Sequence, residues 1–98
     1  MPEFATPFCV KKSDKKLTKE ELIRAIRFSI ASEFEAIQLY EEIEESIDNA
    51  DAAKLLHEIA DDEKVHVGNF LKLLIMLSPE EEKHYNEGKQ EAMKVINE

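Results

Sequence analysis

The sequence predicts an all-α fold: an antiparallel two-helix hairpin followed by a short C-terminal helix, with two copies joining into a four-helix bundle. Three observations carry this. Only 2 Gly and 3 Pro in 98 residues leave too few turn formers for a many-stranded sandwich or barrel. Two long segments carry seam positions at alternating steps of three and four, the buried stripe of a helical bundle. Between them stands Asp48-Asn49-Ala50-Asp51, a cluster that favours turns and N-caps over helix interior.

Residues 1–17 read as an irregular N-terminal arm. Pro2, Pro7 and the run Lys11-Lys12-Ser13-Asp14-Lys15-Lys16 oppose regular structure, while Phe4, Phe8 and Val10 could dock on a partner. Thr18-Lys19-Glu20-Glu21 is a capping box that opens the hairpin, residues 18–78. The second helix is expected from about Ala52 to Leu77, stopping at Ser78-Pro79. Ser78 then caps a short segment, residues 79–98, with Pro79 at its first position and Glu81 closing a second box. Gly88 weakens that segment, which has Tyr85, Ala92, Met93, Val95 and Ile96 to bury.

Composition excludes several function classes. With 22 Asp+Glu against 13 Lys+Arg, the net charge is −9, which argues against nucleic acid or an anionic membrane as partner and favours attraction of cations. A single cysteine, Cys9, rules out a disulfide within the chain and any multi-cysteine zinc or iron–sulfur site; a disulfide linking two copies stays open. No apolar run approaches the length of a membrane span. Phe4 to Val10 is too short for a signal-peptide core and is followed by Lys11 and Lys12. The expectation is a soluble, cytoplasmic helical chain.

The seam itself is unusual. Ile23, Ile26, Ile30, Glu33, Ile37, Tyr40, Glu44 and Ile47 form it on the first helix, and Ala52, Leu56, Ile59, Glu63, His66, Phe70, Leu73 and Leu77 on the second. Burying an unpaired carboxylate costs several kcal/mol, on the order of a small domain's whole stability, so Glu33, Glu63 and His66 need compensation. Glu33 lies 16 residues before Asn49, and Glu63 and His66 lie 14 and 17 after it. At ~1.5 Å rise per residue all three stand roughly 20–25 Å from the turn, hence at one level of an antiparallel pair. Glu63 and His66 also share a helix face. Two carboxylates and an imidazole converging in an apolar layer suit iron or manganese, whose charge would offset the burial.

Plainer readings stand beside this one. A Glu-x-x-His pair is common on exposed helices, and a lone seam glutamate can be a registry device paired across a bundle. Glu44, amid Glu41, Glu42 and Glu45, reads as solvated, as do Asp61 and Asp62. Tyr40, two turns beyond Glu33, is either a core aromatic whose hydroxyl finds a partner or a group that serves a bound metal. His57 reads as a surface or packing residue, and His84 has no evident partner.

Bundle centres of the di-metal carboxylate type take a Glu from each of two helices and a Glu-x-x-His from each of the other two. This chain supplies half of that set, and a two-helix hairpin cannot bury its own apolar stripes. Dimerisation answers both needs. Ser32-Glu33-Phe34-Glu35-Ala36-Ile37-Gln38-Leu39-Tyr40 with Asp62-Glu63-Lys64-Val65-His66 resembles the encapsulated ferritins, short ferritin-like proteins carried inside encapsulin shells. The resemblance spans about residues 18–80. It implies that Glu33, Glu63 and His66 ligate a di-iron ferroxidase centre shared by two subunits, two Fe per dimer, with Tyr40 beside it. It further implies a homo-oligomer of dimers, typically a decameric ring, that oxidises Fe²⁺ with oxygen for storage inside an encapsulin nanocompartment. Glu35 matches a family position associated with metal access. Ser32 stands where some relatives carry another acidic residue, and Leu39 where some carry Trp.

The expected function is therefore that of a ferroxidase. Two alternatives are a rubrerythrin-like peroxide reductase, which with one cysteine would need an external electron donor, and a non-enzymatic helical oligomerisation or adaptor module.

Overall fold

The computed structural model describes residues 15–98 of the chain. Among these lie three helices, α1 (Lys19–Glu45), α2 (Ala50–Leu77) and α3 (Pro79–Ile96), and no strand. The arm expected over residues 1–17 falls outside the described residues except for 15–17, which are exposed and non-helical. Phe4, Phe8, Cys9 and Val10 lie outside as well.

The capping box at the start of α1 forms as expected. Thr18 Oγ1 accepts from the Glu21 N–H at 3.1 Å, and Glu21 Oε1 accepts from the Thr18 N–H at 3.0 Å. These satisfy two of the donors that a helix start leaves open. The helix ends at Ser46, whose hydroxyl donates to the Glu42 carbonyl at 2.7 Å. After a short turn, Asn49 caps α2 by accepting from the Ala52 N–H at 3.0 Å. Its first helical residue is thus Ala50 rather than Ala52.

α1 and α2 lie antiparallel, with Ile26, Ile30 and Ile37 facing Val67 and Leu74 in the core; Leu22, Ile23, Phe70 and Leu77 pack around them. On α2 this corrects the seam. Its buried residues are Ala60, Val67 and Leu74, each one position after the expected Ile59, His66 and Leu73. Leu73 is 38% exposed. α2 carries two adjacent apolar rows, and the alternating three–four pattern runs the outer row into the inner one.

The second capping box does not form. Ser78 closes α2 by donating its N–H to the Leu74 carbonyl at 2.8 Å, and its side chain makes no cap hydrogen bond to α3. Glu81 turns instead to α1, where Arg27 donates to it through Nε at 3.3 Å and through Nη2. The Tyr85 hydroxyl donates to the same carboxylate. Gly88 does not interrupt α3, which runs 18 residues with none of them buried.

The molecule measures 52 × 45 × 20 Å with a radius of gyration of 17.1 Å, against about 13 Å for a compact domain of 100 residues. Phe34, Leu39, Leu55 and Val65 are all more than half exposed. Among the described residues, such a shape leaves much of the apolar surface uncovered.

Two outcomes are expected here. Thr18→Ala should lower stability by about 1 kcal/mol through loss of the cap, read from urea unfolding. The Arg27 guanidinium, aided by the Tyr85 hydroxyl, holds the Glu81 carboxyl below the usual glutamate range against a desolvation cost. A carboxyl with a lowered folded-state pKa adds stability above its unfolded value and loses it as pH falls through the folded one. The difference in urea midpoint between wild type and Glu81→Gln should therefore be largest near neutral pH and vanish in acid. The Tyr85 phenol shifts the opposite way, raised chiefly by its hydrogen bond to Glu81, so its contribution holds below the ordinary tyrosine range and fades in strong alkali.

Candidate metal centre

The hairpin geometry brings together the three residues that depth along the helices singled out. Glu33 comes from the middle of α1, and Glu63 and His66 from successive turns of one face of α2. His66 Nδ1 lies 3.7 Å from Glu33 Oε2 and 3.7 Å from Glu63 Oε2. One donor atom from each residue falls within 4.8 Å of the others, the one such group among the described residues. At 3.7 Å these are not hydrogen bonds. Glu33 Oε2 is buried with no hydrogen-bond partner among the described residues, on a helix that buries Ile30 and Ile37 one turn to either side.

Two donors on opposite sides of one ion at about 2.1 Å each stand at most ~4.2 Å apart. The 3.7 Å separations therefore suit a shared ion directly, and the widest spacing needs only a small side-chain rotation. The set is also right in charge, since two carboxylates and a neutral imidazole match a divalent cation of iron or manganese type. A cation would give the orphaned Glu33 oxygen the partner it lacks.

Burial grades across the site. Glu33 and Glu63 side chains are 18% and 21% exposed, whereas His66 is 50% exposed. His66 belongs to the outer row of α2, so the cluster opens on a flank of the hairpin rather than into its core. This corrects its expected place in the buried seam. Tyr40 is partly buried, and its hydroxyl makes no hydrogen bond among the described residues. Glu35 is exposed and stands outside the cluster.

Other polar groups on the hairpin surface are paired, His57 with Glu44 and Lys64 with Glu41 across the two helices and both with Asp61 within α2. His57 Nδ1 lies 3.2 Å from Glu44 Oε2, and its Nε2 lies 3.5 Å from Asp61 Oδ2. Lys64 bridges Glu41 at 3.1 Å and Asp61 at 3.3 Å, and Glu41 above all holds its ammonium above the usual lysine range. The sequence held a signal for the first pair, since Glu44 lies 5 residues before Asn49 and His57 lies 8 after it. His84 reaches only Glu87, at 4.0 Å. Among the described residues no helix is long and apolar enough to cross a membrane.

Known proteins place this geometry. Residues 24–97 match the profile of the rubrerythrin family. The chain is 43% identical over 68 residues to the ferritin-like–encapsulin shell fusion protein of Pyrococcus furiosus, a match covering 69% of this chain and 20% of that protein. It is 38% identical over 73 residues to the encapsulin nanocompartment cargo protein EncC of Myxococcus xanthus, covering 74% and 56%. The chain thus spans a fifth of one relative's length and somewhat over half of the other's. The crystal structure of the encapsulated ferritin domain from Pyrococcus furiosus superposes with a TM-score of 0.85 at 34% identity, over 92% of each chain. With the helical hairpin and its carboxylate–histidine cluster, these matches show that the chain belongs to the rubrerythrin family, among its encapsulated ferritins.

Proposed function

We propose that this chain is a ferroxidase that oxidises Fe²⁺ to Fe³⁺ with oxygen at a centre shared by two subunits. The observation that carries this is the buried Glu33 carboxylate oxygen without a hydrogen bond, within reach of Glu63 and His66. Iron is the substrate, and each Fe²⁺ gives one electron to oxygen. Glu33, Glu63 and His66 would hold it, with Glu33 as the bridging and Glu63 and His66 as the terminal ligands of this reading. Carboxylate oxygens favour the more highly charged Fe³⁺ and so draw the equilibrium toward oxidation. His66 serves as a ligand only as neutral imidazole, so its protonation opposes binding. Tyr40, partly buried two turns beyond Glu33 on α1, would serve the centre by hydrogen-bonding a ligand or donating an electron. Glu35, exposed one step off the seam, draws cations toward the opening, and the net charge of −9 concentrates them there.

The second subunit follows from the half-set of ligands and the open flank. Each hairpin brings one Glu and one Glu-x-x-His, and a two-fold pair completes a four-helix bundle with two irons per dimer. Pairing would also cover outer-row residues such as Leu73. By analogy with its relatives, the dimers assemble further, as a decameric ring in the cytoplasm, inside an encapsulin shell that receives the iron. No nucleic acid or membrane takes part. The proposed segments are an arm over 1–17, the ferritin-like hairpin over 18–78 and a C-terminal helical segment over 79–98.

The rubrerythrin match supports one competing reading, a peroxide reductase working from the same residues with an external donor. Parallel assays separate them: faster Fe²⁺ turnover with oxygen supports the ferroxidase, and faster peroxide consumption the reductase. Glu33→Ala should abolish oxygen-driven Fe²⁺ oxidation, followed by absorbance of the ferric product; wild-type rates in that variant would overturn the site. In metal-free protein, Glu33→Leu should raise stability by about 1–3 kcal/mol, because it removes an unpaired buried carboxylate oxygen. Thermal unfolding of the two metal-free proteins checks this.

A further inference from the structure

We propose that Arg27, Glu81 and Tyr85 form a latch that fixes the angle at which α3 leaves the hairpin, and that opening this latch lets α3 swing about Ser78. Packing does not fix that angle. α3 has no buried residue, and a single residue, Ser78, separates it from α2. Beside that joint, among the described residues, lies an open cleft of about 460 Å³ between Lys19, Glu20 and Ile23 of α1 and Leu77 and Pro79, which leaves room for the helix root to move.

The latch supplies the bracing. Arg27 on α1 grips the Glu81 carboxylate through two nitrogens, and the Tyr85 hydroxyl, one turn further along α3, donates to the same carboxylate. The Glu81 side chain is only 12% exposed while Arg27 is 51% exposed. A two-point guanidinium fork fixes direction as well as distance, unlike a single point charge. The lever is long: 18 residues extend about 27 Å, so a swing of roughly 20° at the joint moves the far end by about 9 Å. Small changes at the latch therefore reposition the exposed Met93, Val95 and Ile96 at its end. The latch does not involve the metal-binding residues and stands or falls separately from them.

Pulsed electron–electron spin resonance on the full chain tests this. Labels at Gln38→Cys on α1 and Gln90→Cys on α3, in a Cys9→Ser background diluted with unlabelled protein, report the angle. A single narrow distance peak is expected for the otherwise wild-type chain, and loss of that peak to a broad distribution for Glu81→Gln and for Arg27→Gln. The exchanged pair, Arg27→Glu with Glu81→Arg, should restore a narrow peak, which a general loss of stability would not allow. Far-UV circular dichroism and Fe²⁺ uptake are expected to stay at wild-type levels throughout. Unchanged narrow peaks in both single variants would overturn the latch, and so would a failure of the exchanged pair to restore one.

Discussion

The Glu33 carboxylate, with one buried oxygen that lacks a hydrogen bond among the described residues, is the constraint on which the rest of this structure depends. It stands on α1 one turn from the core residues Ile30 and Ile37. A core this small has little stability to spare for such a group. Retaining a glutamate there makes sense when a cation completes it. Glu63 and His66 stand around the same point, so the unsatisfied Glu33 oxygen is also part of the proposed ligand set. This is the usual exchange between stability and function at a preorganised site.

The second consequence concerns surface rather than charge. α2 spends one apolar row on α1 and keeps a second row facing outward, with His66 in that outer row. If the cluster holds a metal as proposed, its opening on the flank of the hairpin would couple metal binding to association with another copy. The exposed apolar residues and the extended shape are what the proposed association would cover. α3 adds a separate geometric element, held to α1 by polar contacts instead of by a core.

Much of this was legible in the sequence, and the exceptions have physical causes. The capping box at Thr18 and Glu21 formed because both partners are local, three residues apart at one helix start. The matching pattern at Ser78 and Glu81 failed because Ser78 already closes α2 and Arg27 takes the Glu81 carboxylate. That partner lies 54 residues away, and no local rule signals it. The convergence of Glu33, Glu63 and His66 was readable because antiparallel helices turn sequence separation from the loop into depth. The burial of His66 was misread because two apolar rows one residue apart merge in a three–four pattern. Phase within α2 is settled by packing against α1, which periodicity alone does not contain.

The central claim is that Glu33, Glu63 and His66 form half of a metal centre completed by a second chain. Native mass spectrometry of the metal-free protein, and again after anaerobic addition of Fe²⁺, tests it most directly. The account predicts an even-numbered assembly that gains two irons per pair of chains, with that gain lost in Glu63→Ala. A monomer, or an oligomer that takes up no stoichiometric iron, would contradict it and leave the three residues as structural polar groups of a helical adaptor.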